Sequence, residues 1–397
     1  MLKDRSKSGV IYFDNAATSF PKPECVTEAV IHYMTKIGAN PGRSGHRMAI
    51  EAGQIVFKTR KSMTALFKLK NPMRVIFTIN ATEALNIAIK GVLQKGDHVI
   101  TSSMEHNSTI RPLHELEREK VITLSIIQTD KTGILNPDEI RKSITIKTKV
   151  VVINHASNVL GSIQPIREIG KICKENGVIF IVDCAQTAGV VPIDINLNNI
   201  DILAFAGHKG LYGPTGTGGM VIADGFDFNK IKPLKYGGTG SLSDKIDQPN
   251  FLPDRFESGT LNVAGLSGLL AGSEYIQNKT GGIEAIFSNK NKLLNYFIKQ
   301  AERNIQDFIS YSSLNVPSIG VVAFKLSNIS ISETAQFLSD KYGIMCRQGL
   351  HCSPLAHQTI GTFPEGTLRF GFSIFNTKEE IDNSVYALKS ISEGNEK

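Results

Sequence analysis

Disulfide-forming patterns, membrane-spanning runs and low-complexity linkers are all missing from this chain of 397 residues. Cysteine is scarce and odd in number: Cys25, Cys173, Cys184, Cys346 and Cys352 are widely spaced and form no CxxC pair. That argues against a disulfide framework or a zinc site and for a reducing compartment. The opening "MLKDRSKSGVIYFDNAATSF" holds no uninterrupted apolar stretch of the secretory kind, and no later run approaches the ~20 residues of a membrane span. A cytoplasmic protein without membrane contact is expected, and no metal site. Basic residues exceed acidic ones by only 44 to 37. Their nearest clusters, "KTRKS" and "RKSITIKTK", lack interleaved aromatics, so no nucleic-acid partner is expected. The modest excess is compatible with an anionic ligand, although a solvated surface explains it more simply.

What remains is an ordinary globular composition, 41% hydrophobic and 20% charged, in a chain long enough for two or three domains. From Arg74 onward short apolar runs alternate with helical patterns. "RVIFT" leads into "ATEALNIAIKGVLQKG", in which Thr82 is read as the cap and Gly96 as the end. "DHVITSS", "VITLSIIQT", "KVVVINHAS", "GVIFIVDCA" and "DILAFAG" follow as mostly continuous apolar runs, as in strands covered on both faces. With helical connectors such as "IREIGKICKENG" between them, they predict an α/β fold with a largely parallel, doubly wound sheet. Beyond Val263 the pattern changes to a smaller α+β domain. Capping boxes are read at Ser330 with Glu333 and at Asn376 with Glu379. The expected division is an N-terminal segment 1–20 packing on the small domain, a large domain 21–262 and a small domain 263–397.

Ligands of such sheets sit beyond the carboxyl ends of the strands. There the sequence puts His106, Asn154 to Asn158, Asp183 with Gln186, and His208 with Lys209. Each has a bland reading as a cap or a solvated side chain; the set is harder to dismiss. A lysine so placed can form a Schiff base with an aldehyde cofactor. Pyridoxal phosphate needs such a lysine, a carboxylate opposite its pyridinium nitrogen and donors for its phosphate. Asp183, 26 residues before Lys209, ends the preceding strand. The amides beginning the helix of Ala81 and Thr82 offer a phosphate cradle.

The ordered series "YFDNAAT", "ATEALN", "EHNS", "SNVLG", "VDCAQTAG", "AGHKGLYGPTGTGG", "RFESGTLN", "RQGLHCSP" and "LRFGFSIFNTKEEID" resembles the class V aminotransferase-like cysteine desulfurases over nearly the whole chain, closest to the group that includes selenocysteine lyases. The resemblance implies a fold type I enzyme dependent on pyridoxal 5'-phosphate. Lys209 resembles the cofactor-binding lysine, Asp183 the partner of the ring nitrogen and Gln186 the donor to the phenolic oxygen. His106 is implied to stack on the ring and Asn158 to lie near that oxygen and the substrate. Ala81, Thr82 and His208 are implied to hold the phosphate, and Thr260 to reach the phosphate of a neighbouring subunit in a homodimer. Arg369 is implied to clamp the carboxylate of L-cysteine or L-selenocysteine, with Arg347 also at the substrate. Cys352 resembles the nucleophile that takes the sulfur as a persulfide and leaves alanine, before passing it to an acceptor protein. Arg347 and His351 supply basic surroundings for its thiolate. The other cysteines read as packing residues, Cys346 included.

Two positions depart from the family pattern. Ala206 stands where many relatives carry serine before "GHK", which removes a hydroxyl from the phosphate site; a hydrogen bond to a charged group contributes about 1.5 to 3 kcal/mol. Leu350 stands where the closest group often has a second histidine. The residues leave open a selenocysteine lyase, a cysteine β-lyase, a transaminase, or an inactive sulfur-transfer scaffold. A nicotinamide dehydrogenase is excluded, because "GPTGTGG" does not open the first helix of a βαβ unit.

Overall fold

The computed structural model describes residues 9–42 and 45–394, so the first eight residues of the expected N-terminal segment lie outside it. The chain opens with β1 (Ile11–Tyr12), α1 (Glu24–His32) and α2 (Arg47–Phe67). Then come β2 (Val75–Thr78), α3 (Ala81–Val92), β3 (Asp97–Ser102), α4 (Asn107–Arg118), β4 (Ile122–Ile127), α5 (Pro137–Ser143), β5 (Thr148–Asn154), α6 (Ile166–Glu175), β6 (Ile179–Asp183), β7 (Ile202–Ala206) and β8 (Gly218–Ile222). The remainder comprises α7 (Val263–Lys279), α8 (Ile283–Asn304), β9 (Phe308–Ser310), β10 (Val321–Leu326), α9 (Ile331–Tyr342), β11 (Ile344–Met345), β12 (Arg347–Gly349), α10 (Pro354–Ile360), β13 (Thr367–Gly371) and α11 (Lys378–Ser392).

The six expected strands and one more, β8, form a seven-stranded sheet in the order β2-β8-β7-β6-β5-β3-β4. Only β8 runs against its neighbours; the joins from β7 through β4 are parallel. Every residue of β6 and β7 is buried, which is why these strands read as continuous apolar runs rather than alternating ones. The reversed strand β8 was not expected, because it opens with two glycines. They are required by close approach: a Cβ on Gly219 would stand 2.5 Å from the Phe205 ring, and one on Gly218 2.7 Å from the Asn80 backbone.

A second, four-stranded sheet, β12-β13-β10-β9, is antiparallel throughout. It carries its own core with Phe297, Phe324, Phe370 and Phe372. The N-terminal segment joins this part: β1 pairs with β11, and Phe13 packs into the same core. Helix α7 buries Val263, Leu266 and Leu269 in the first core, so by packing the C-terminal share of the second core begins within α8, at Leu293.

The capping box at Ser330 and Glu333 is present. Two other caps fall elsewhere. Asn80, not Thr82, caps α3, its side chain accepting from the Glu83 N–H at 2.8 Å. Thr377 with Glu380, one residue beyond the expected pair, caps α11; Asn376 instead donates to Glu380. In both places two polar residues one or two positions apart can cap, and the path of the chain selects one.

Candidate active site

The carboxyl ends of the parallel strands open on a cavity of about 240 Å³. Strand β5 delivers Asn154, β6 delivers Asp183, and the turn after β7 delivers His208 and Lys209. The start of α3 contributes Ala81 and Thr82, and the start of α4 His106. The far wall comes from the second sheet: Arg347 on β12, Arg369 on β13, and His351 with Cys352 on the turn between β12 and α10. Asn158 and Gln186 also line the cavity, beside Ala206; one expected residue, Thr260, does not. It is exposed and lies on a separate groove with Asn40 and Gly238.

Burial governs the charges. Asp183 is buried; its Oδ1 accepts the Ala185 N–H at 2.8 Å, and burial raises its pKa above the usual carboxylate range. The Lys209 ammonium is pushed down to about 8, chiefly by burial, with Asp183 opposing. That amine is much closer to neutral at physiological pH than a solvated lysine. His106 and His208 are each pushed down to about 4 by burial, helped by the positive charge of Lys209. The Ser108 N–H donates to His106 Nδ1 at 3.1 Å. The neutral His106 ring therefore carries its proton on Nε2. The Ser108 hydroxyl in turn lies 2.7 Å from Thr82 Oγ1, tying the starts of α3 and α4 together.

Among the described residues, several buried polar atoms have no partner. His208 Nδ1 is one and Arg369 Nε another. The first-turn amides of Ala81 and Thr82 also lack helix carbonyls to bond, as at any helix start. Arg369 is only partly engaged: Nη2 donates to Asp14 at 2.8 Å and Nη1 to the Asn158 carbonyl at 3.0 Å. Its Nε N–H is buried and without a partner among the described residues. Gln186 donates to the Ala16 carbonyl at 2.9 Å, leaving its second amide hydrogen for a ligand. Cys352 is the one exposed cysteine; Cys173 and Cys184 are buried, and burial raises the Cys346 thiol to about 12.

Sequence reasoning missed three residues here. Asp14 anchors Arg369, yet "YFDNAAT" gave no hint of a partner 355 positions away. Ser108 lies in "EHNS", whose histidine drew the attention. Ser353 follows Cys352 and bonds to Asn158 Oδ1 at 2.7 Å, where "SP" before a helical run signals only an N-cap.

A model of the aminotransferase class-V family matches residues 11–383. A probable cysteine desulfurase of Pyrococcus abyssi is 35% identical over 395 residues, covering 96% of this chain and 94% of its own. One from Borreliella burgdorferi is 33% identical, covering 96% and 92%. Among solved structures, the apo cysteine desulfurase of Thermococcus onnurineus superposes with a TM-score of 0.90 at 33% identity, covering 97% of this chain and 95% of that one. The Escherichia coli cysteine desulfurase CsdA gives a TM-score of 0.87 at 26% identity, covering 98% and 96%.

Proposed function

Since the chain belongs to the class-V aminotransferase family, as a fold type I enzyme of its cysteine desulfurase group, we propose that it converts L-cysteine to L-alanine and holds the sulfur as a persulfide on Cys352. The observation that carries this reading is a single cavity lined by Lys209, Asp183, Arg369 and Cys352. The first two suit any enzyme of the family. Only the thiol distinguishes desulfuration from transamination.

The family depends on pyridoxal 5'-phosphate, and the residues fit it. His208 Nδ1 is a buried nitrogen without a partner, and beside it stand a depressed lysine, a buried carboxylate and an anion-binding helix start. Lys209 would hold the aldehyde carbon, Asp183 the ring nitrogen, and His208, Thr82 and the α3 amides the phosphate. His106 would lie against the ring, with Gln186 and Asn158 near the phenolic oxygen. When bound, the cofactor withdraws electrons from the substrate Cα. Ala206 lines the cavity and adds no hydroxyl to the phosphate set.

Arg369 receives the substrate carboxylate through the N–H groups that Asp14 and Asn158 leave free. Lys209, already disposed to lose its proton, takes the one on the substrate Cα. The Cys352 thiolate then attacks the substrate sulfur. A sulfur–sulfur bond forms as the Cβ–S bond breaks, and the electron pair left on the substrate is protonated to give the methyl group of alanine. Cysteine plus enzyme thiol yields alanine plus enzyme persulfide, with no external oxidant.

Two further readings accompany this one. A homodimer is supported by Thr260 on its exposed groove and by exposed apolar residues nearby in sequence, Tyr236 and Phe251 among them. Exposure of Cys352 lets an acceptor protein reach the persulfide. No helix among the described residues is long and apolar enough to cross a membrane; the five unpaired cysteines support a cytoplasmic setting.

The test is product analysis of the wild type and Cys352→Ala with L-cysteine and L-selenocysteine, with and without a thiol reductant. Alanine, with one added sulfur on Cys352 by intact mass, is the expected result for cysteine. Pyruvate with ammonia, or alanine from Cys352→Ala at the wild-type rate, would overturn it.

A further inference from the structure

Cys352 stands in a turn closed by one backbone bond of its own, the Ser353 N–H donating to the Leu350 carbonyl at 2.9 Å. His351 and Cys352 have φ of 49° and 58°, the left-handed region that costs an L-residue other than glycine roughly 1–2 kcal/mol. Three further bonds brace the turn from outside it or through side chains. The Asn158 amide donates to the His351 carbonyl at 2.6 Å, the Asn107 N–H donates to the Cys352 carbonyl at 2.8 Å, and the Ser353 hydroxyl donates to Asn158 Oδ1 at 2.7 Å. One amide thus bonds on both sides of the cysteine.

Ser353 occupies the N-cap position of α10, yet its side chain makes no cap bond. A serine there ordinarily accepts a first-turn N–H, worth about 1 kcal/mol. Here the side chain is fully buried and its hydroxyl is turned to Asn158 instead. The Asn158 carbonyl also receives Arg369, so the same residue joins the guanidinium to the cysteine turn.

We propose that Ser353 is a positioning residue for Cys352: by fixing the Asn158 amide, it holds the thiol turn in its left-handed form, aimed into the cavity. The proposal rests on the reading of Cys352 as sulfur acceptor. Without the hydroxyl, Asn158 Oδ1 is buried with no donor and its amide is free to turn, so the His351 carbonyl loses its partner and the Leu350–Ser353 backbone bond is left to hold the strained turn with less support.

The experiment compares Ser353→Ala and Ser353→Thr with the wild-type holoenzyme. In Ser353→Ala, kcat for alanine formation should fall about ten-fold, the effect of losing one buried hydrogen bond. KM for L-cysteine should not change, because Arg369 is bound to the Asn158 backbone carbonyl rather than to its amide. Amide hydrogen exchange in the peptide spanning Cys352 should accelerate, with the β5 and β6 amides unaffected. Ser353→Thr keeps the hydroxyl and should retain most of the rate. An unchanged kcat in Ser353→Ala, a parallel loss of cofactor and substrate affinity, or an equal loss in Ser353→Thr would each overturn the proposal. Should the wild type make no alanine, the functional reading fails instead, and the exchange measurement still reports whether Ser353 holds the turn.

Discussion

On one side of the cavity, Asn154 and Asp183 stand where parallel strands end, and Lys209 follows the next strand by three residues. Their backbones are fixed by a ladder of strand pairing in which Asn154 and Asp183 are direct partners. On the other side, Cys352 stands on a turn between β12 and α10 and keeps its position through side chains distant in sequence. The first wall is a consequence of topology, the second of individual hydrogen bonds. A wall of the first kind tolerates many substitutions without moving its catalytic groups. One of the second kind loses its aim when a single partner is removed.

The largest effect that sharpens this contrast belongs to Lys209. In Lys209→Ala, alanine formation should drop by at least ~10³-fold, and borohydride should no longer fix the cofactor to the chain, while the melting temperature stays near wild type because the strands remain intact. For the wild type, burial depresses the amine to about 8. A neutral amine is the reactive form, so capture of pyridoxal phosphate by cofactor-free protein should quicken as pH rises through about 8 and level off above it. Trapping that persists at another lysine, or a capture rate that falls over this range, breaks the assignment of the first wall.

A smaller effect tests the second wall through Asp14. The Arg369 side chain is 3% exposed and that of Asp14 21%, so the pair is screened on one side only. Asp14→Asn keeps the shape and removes the charge; we expect a loss of about 2 kcal/mol of stability, below the range for fully buried pairs. KM for L-cysteine should rise several-fold as the guanidinium loses its orientation, with the cofactor spectrum unchanged. A spectrum that shifts together with KM would mean that the two walls are one unit.

The same contrast explains what could be read beforehand. The parallel strands were legible because burial on both faces demands continuous apolar runs, and the residues at their ends followed from the fold. The reversed strand β8 was not, since close packing against Phe205 forces glycines that mimic a loop. Nor were the links that hold the cysteine. Asn158 and Ser353 are 195 positions apart, and the local pattern at Ser353 points to a cap that the structure does not make. Local sequence encodes periodicity and turn chemistry. It does not encode which distant polar group will claim a side chain.

The smallest effect isolates the strain in the second wall. Cys352→Ala and Cys352→Gly both lack the sulfur, so neither should make alanine from L-cysteine, and their difference reports on the backbone alone. Alanine retains the Cβ that crowds the left-handed conformation at φ 58°, a penalty of roughly 1–2 kcal/mol. Glycine escapes it but loses more conformational freedom on folding, by roughly 0.5–1 kcal/mol. The two terms oppose each other, and the larger one favours glycine by about 0.5 kcal/mol. Denaturant midpoints measured side by side should therefore place Cys352→Gly slightly above Cys352→Ala. The reverse order would mean that residue 352 leaves the left-handed region once its thiol is gone, and that the turn is held by the cysteine itself rather than by Asn158, Asn107 and Ser353.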